Sequence, residues 1–153
     1  MKVNTRPEHG ARAVKVSSRA EYGMRALVDL ALHYGEGYAQ SHDIAVRQGI
    51  PESYLNQIMT TLRRAGLVSS KRGPAGGHTL SRPPDAITLR EAVEVLEEGA
   101  SPWWCVEVED PDCAYAPGCG VRPIWMAMKV AAEGVLDRLT LLDITRTQAP
   151  VKK

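Results

Sequence analysis

The run from Ile50 to Arg82, IPESYLNQIMTTLRRAGLVSSKRGPAGGHTLSR, constrains the fold more than any other part of the chain. Leu55, Ile58, Met59 and Leu62 recur at steps of three and four, which is one face of a helix. Pro51 sits near its start and Gly66 ends it. Leu67 to Arg72 then reads as a short strand, GPAGG as a turn, and His78 to Ser81 as the return strand. Upstream, SHDIAVRQ reads as a short helix with Ser41 as N-cap and Gly49 as its stop. A short helix, a glycine-containing turn, a second helix and then a hairpin make a winged helix-turn-helix. The hairpin carries Lys71, Arg72 and Arg82, so the wing is basic.

The flanks extend this pattern. Ser18 and Glu21 have the spacing of a capping box opening a first helix. Ala20, Met24, Leu27, Ala31 and Tyr34 share its inner face, and Gly35 and Gly37 stop it. Thr88 and Glu91 suggest another capping box, opening LREAVEVLEE before Gly99. From Pro123 onward, Ile124, Met128, Ala131, Val135, Leu139 and Leu142 repeat at four and three, a narrow seam suited to a twin helix in a homodimer. The expected fold class is mostly α with a small β-hairpin wing, a winged helix-turn-helix plus a long C-terminal dimerisation helix. The expected organisation is a disordered tail at 1–13, a DNA-binding domain at 14–98, a cysteine loop at 99–122, a dimerisation helix at 123–145 and a second disordered tail at 146–153.

Charge divides the chain. Residues 1–90 hold 13 Lys and Arg against 7 Asp and Glu, while residues 91–153 hold 6 against 11. A basic first half suits a polyanion such as DNA. In a winged helix the N-terminal residues of the recognition helix meet base edges, here Ser53, Tyr54, Asn56 and Gln57. Asn and Gln pair bidentately with adenine, and Ser bonds either partner. Arg63, Arg64, Lys71 and Arg72 are placed for phosphates, or one of them for guanine or the minor groove. His78 follows the wing turn and is expected at phosphate or solvent; His33 is expected at the end of the first helix, near its dipole.

All three cysteines, Cys105, Cys113 and Cys119, lie within WWCVEVEDPDCAYAPGCGVRP. No apolar run approaches the ~20 residues of a membrane helix, and no apolar signal core opens the chain. A cytoplasmic protein with no membrane partner is expected, and clustered thiols there suggest metal or redox chemistry rather than disulfides. No C-x2-C pair grips a structural zinc, and spacings of seven and five fit a larger object such as an iron–sulfur cluster, [2Fe–2S] or [4Fe–4S]. Three reduced thiols in a loop are the alternative. Trp103, Trp104 and Trp125 wall off such a loop or simply fill the core. No nucleophile–base pair, phosphate loop or H-E-x-x-H is present, which argues against an enzyme.

Taken together, AEYGMRALVDLAL, the run from Ile50 to Arg82, ITLREAVEVLE and the ordered cysteines resemble the IscR, NsrR and RirA type of regulator, the Rrf family, over about residues 14–145. The resemblance implies a homodimeric transcription factor, read as a repressor on a palindromic operator. It implies Cys105, Cys113 and Cys119 as cluster ligands, with iron, nitric oxide or redox state as the signal. IscR-type members place a histidine ligand three residues after the last cysteine, where this chain has Arg122. NsrR-type members take a carboxylate from the partner subunit's first helix, and the matching position is Glu21. A small thiol, water or Asp112 are other fourth ligands. A cluster-free regulator gated by cysteine oxidation or a protein partner, and an iron–sulfur electron-transfer protein, remain as alternatives.

Overall fold

Ser17, not Ser18, opens the fold. In the computed structural model, which describes residues 16–97, 104–109 and 113–148, the Ser17 hydroxyl accepts from Ala20 N–H at 3.0 Å and caps α1 (Ser18–Leu32). Glu21 is therefore a first-turn acid, complementing the helix dipole, rather than half of a box with Ser18. Tyr34, expected on the inner face, lies past the helix end and is exposed, whereas Ala20, Leu27 and Ala31 are buried as the spacing requires. His33 caps the C-terminus, with Nδ1 2.8 Å from the Asp29 carbonyl.

α2 (Ser41–Gln48) ends on Gly49 in the left-handed region, as expected. Its N-cap is Gln40 rather than Ser41, because the Ser41 hydroxyl is engaged by His78. α3 (Glu52–Arg64) buries Leu55, Ile58, Met59 and Leu62, each 1% exposed or less. At ~1.5–3 kcal/mol per large apolar side chain, these four contribute up to about 6–12 kcal/mol and fix which face α3 turns outward. β1 (Val68–Lys71) and β2 (Gly77–Leu80) pair antiparallel, with Val68 opposite Leu80 and Lys71 opposite Gly77.

α4 (Leu89–Leu96) is capped by the Thr88 hydroxyl, but Glu91 does not complete the expected box: its carboxylate takes a hydrogen bond from Arg82. The short α5 (Trp104–Glu107) leads to α6 (Arg122–Arg138) and α7 (Leu141–Thr147). The single helix expected over 123–145 is thus two. Leu139 and Thr140 are extended, and Thr140 forms a bridge with Thr88. Leu89 N–H donates to the Leu139 carbonyl at 2.9 Å and Leu141 N–H to the Ile87 carbonyl at 3.0 Å. Thr140 and Asp143 then make a reciprocal capping box that restarts the helix as α7. α7 turns back against α1 with Leu141 fully buried, while α6 extends beyond the core with no buried residue of its own. The stop at Gly99 and the tails at 1–13 and 149–153 lie outside the described residues, and 146–147 end α7.

One buried charge locks the first two helices together. Asp29 is 1% exposed; Arg47 grips it with Nε at 2.9 Å and Nη2 at 2.7 Å, and Gln48 Nε2 donates to it at 3.0 Å. The Asp29 hydrogen bonds hold the Arg47 guanidinium above its ordinary pKa. Arg25 also reaches across, donating to the Gln48 carbonyl.

Candidate nucleic-acid interface and cysteine cavity

The wing is fastened to the helix-turn-helix. Ala39, just before α2, pairs with His78 through two backbone hydrogen bonds of 2.9 and 2.8 Å, an isolated antiparallel bridge on the edge of β2 away from β1. Gly77 makes this approach possible: its φ is +140°, and a Cβ there would lie 2.3 Å from the Ala39 carbonyl oxygen. Gln40 Nε2 donates to the Pro74 carbonyl at 2.9 Å, holding the turn. His78, expected at phosphate or solvent, is instead half-buried between two hydroxyls, Ser41 Oγ at 2.8 Å from Nε2 and Ser70 Oγ at 2.7 Å from Nδ1. Burial, with the nearby Arg63 charge, pushes its pKa below the usual imidazole value, so the neutral ring is favoured.

Between α2, α3 and the wing runs a cleft of about 370 Å³. It gathers three of the residues expected at phosphates, Arg63, Lys71 and Arg72, and adds Thr60, His42 and Glu52. The last two are paired, His42 Nδ1 to Glu52 Oε2 at 3.2 Å. Ser53 and Asn56 are exposed along the crest of α3. The other expected contacts divide differently. Arg64 and Gln57 turn to the flank of α3 opposite the wing. Tyr54 is partly buried against the core, its ring edge-on to Tyr22 at 5.7 Å, and it lines the same flank. Ser41, Ser70 and Gln40 escaped sequence reasoning because nothing in their spacing shows that His78 and Pro74 come to them.

The cysteine loop converges. Cys105 on α5, Cys113, and Cys119 just before α6 line one cavity of about 700 Å³, with Val121 and Trp125 as apolar wall. All three thiols are free and half-buried. Arg122 ties the parts together: Nε donates to the Cys105 carbonyl at 3.2 Å and Nη2 to the Val108 carbonyl at 3.1 Å, closing the open end of α5 onto the start of α6. Three soft donors on one apolar-walled cavity fit an iron–sulfur cluster in kind. Among the described residues, however, no three His, Cys, Asp or Glu side chains are gathered closely enough to hold a metal ion. Glu21 does not line this cavity within one chain, and Trp103 and Asp112 lie outside the described residues. No described helix is long and apolar enough to cross a membrane.

A winged helix-turn-helix with a basic cleft beside its recognition helix defines a DNA-binding regulator. The comparisons agree. The Rrf2 family, described as iron-dependent transcriptional regulators, matches residues 16–147, and the chain belongs to that family. It is 37% identical to the HTH-type transcriptional regulator CymR of Bacillus subtilis over 131 residues, 86% of this chain and 89% of that protein. It is 35% identical to IscR of Aliivibrio salmonicida over 131 residues, 86% of this chain and 77% of that protein. Among solved structures, IscR of T. potens superposes with a TM-score of 0.73 at 35% identity, covering 94% of this chain and 95% of that one. CymR, described as the global cysteine regulator of B. subtilis, superposes at 0.72 and 36%, covering 89% and 99%.

Proposed function

We propose that this transcriptional regulator is a cytoplasmic homodimeric repressor of palindromic operators, and that an iron–sulfur cluster held by Cys105, Cys113 and Cys119 sets its DNA affinity. The observation that carries this reading is the convergence of all three thiols on one apolar-walled cavity at the root of α6. Bound there, a cluster supplies a labile, redox-active centre sensitive to iron supply, nitric oxide or oxidant. Ser53, Asn56 and Gln57 read bases, and Arg63, Lys71 and Arg72 hold phosphates. Ile124 and Val135, exposed on the seam face of α6, pack on their copies in a second chain. Glu21 of the partner subunit is the proposed fourth ligand.

The chain's own contacts lead from the cavity to the DNA. Arg122 joins Cys105 to α6. Arg90 on α4 joins α6, with Nε 2.6 Å from Asp137 and Nη2 3.3 Å from Glu133. α4 in turn packs on α1 and α3. Reordering the loop therefore bears on elements that position the recognition helix. The test compares operator binding by wild type and Cys113→Ala, both purified without oxygen. Loss of visible absorbance and of signal-dependent affinity, in a dimer that stays folded, is expected. Unchanged signal-dependent regulation in the variant overturns the sensor.

A second reading has a specific support: the relative CymR is described as a cysteine regulator, and a structure of Staphylococcus aureus CymR, 30% identical with a TM-score of 0.68, is of an oxidised form. In that reading the same half-buried thiols gate DNA binding by oxidation or by engaging a protein, with no cluster. Iron and sulfide content separates the two.

A further inference from the structure

The wing occupies only one flank of α3. At about 100° per residue, neighbouring side chains diverge around a helix, and Arg63 and Arg64 part company: Arg63 lines the wing cleft, and Arg64 lines a hollow of about 570 Å³ between α1, α3 and α4. The polar rim of that hollow is Arg19, Gln57, Thr61 and Arg64. Among the described residues no carboxylate lines it, whereas Glu52 stands in the wing cleft. Arg19 Nη2 donates to Thr61 Oγ1 at 2.6 Å, so one guanidinium is held against the recognition helix itself. We propose that the Arg19–Arg64 hollow is a second phosphate-contact surface, which grips the DNA backbone on the side of the recognition helix away from the wing.

The inference rests on the DNA-binding reading and extends it. A helix lying in the major groove has a phosphate strand along each side. Arg63, Lys71 and Arg72 serve one strand; Arg19 and Arg64 face the other. Gln57 belongs both to the hollow and to the exposed outer surface of α3, so an occupant of the hollow lies beside the groove-reading residues.

Counterion release makes the proposal measurable, since each phosphate contact adds about 0.9 to the slope of log K against log salt, read here by anisotropy of the full chain on a labelled mixed-sequence duplex of about 30 bp between about 50 and 200 mM KCl. Arg64→Gln and, as a wing reference, Lys71→Gln are each expected to lower the slope by about 0.9. Lys129→Gln, which deletes the same charge on α6, leaves it unchanged, and circular dichroism confirms that every variant is folded. If Lys71→Gln lowers the slope while Arg64→Gln does not, the second surface is overturned and DNA binding through the wing stands. If the full chain fails to bind the duplex at any salt concentration, both readings fall.

Discussion

Replacing Asp29 by Asn tests whether the first helix pair is held by charge or by shape. The side chains are nearly isosteric, so no cavity opens. Asp29 now accepts three hydrogen bonds, two from Arg47 and one from Gln48, and its side chain is 2% exposed. Asparagine offers one oxygen and turns an NH2 group toward donors, so at least one bond becomes a donor–donor clash. Breaking one half of a buried pair costs ~3–5 kcal/mol, and hydrogen bonds to charged groups are worth ~1.5–3 kcal/mol. The Arg47 side chain is 38% exposed and regains water when released, which places the loss at the low end, about 2–3 kcal/mol. For a chain of this size that is a fall in Tm of roughly 5–10 °C. The assay is urea unfolding followed by circular dichroism at fixed protomer concentration, with an unchanged m-value. A loss below ~0.5 kcal/mol would mean that packing alone holds α1 to α2, and would refute the reasoning.

Three other outcomes are expected. Gly77→Ala, with its Cβ driven toward the Ala39 carbonyl at positive φ, costs about 1–3 kcal/mol in urea unfolding and weakens DNA binding by loosening the wing. Because the folded protein depresses the His78 pKa below 6.5, the unfolded chain binds more protons there, so stability is complete above pH 6.5 and declines as pH falls below it. Unfolding titrations of His78→Gln are expected to lack that part of the decline, and identical pH profiles for the two proteins would contradict it. Val135, 47% exposed on the seam of α6, takes Asp without harm to a single chain, so Val135→Asp is expected to yield folded monomers in sedimentation and wild type a dimer. Wild-type-like dimers of that variant would place the interface elsewhere.

The DNA-binding half was legible because its signals are local. Leu55, Ile58, Met59 and Leu62 declare the inner face of α3, Gly49 and Gly66 end helices, and GPAGG turns a hairpin. Errors arose where a side chain is claimed from a distance. Ser41 looked like a cap but bonds His78, 37 residues away, and Glu91 looked like half of a box but bonds Arg82. The break at Leu139–Thr140 was hidden because the apolar seam runs across it. Its cause is pairing with Thr88, although the Thr140–Asp143 capping signal was present in the sequence. At the cysteines, spacing showed that three thiols were near in sequence, and only the fold shows one cavity and the clasp of Arg122.

The most direct test of the central claim is iron and acid-labile sulfide per chain in protein purified without oxygen, read together with its visible spectrum. A brown protein with iron and sulfide in stoichiometric amounts is expected, both lost from Cys113→Ala. A protein that stays colourless after reconstitution with iron and sulfide contradicts the cluster and leaves the three thiols as a redox switch on a winged-helix regulator.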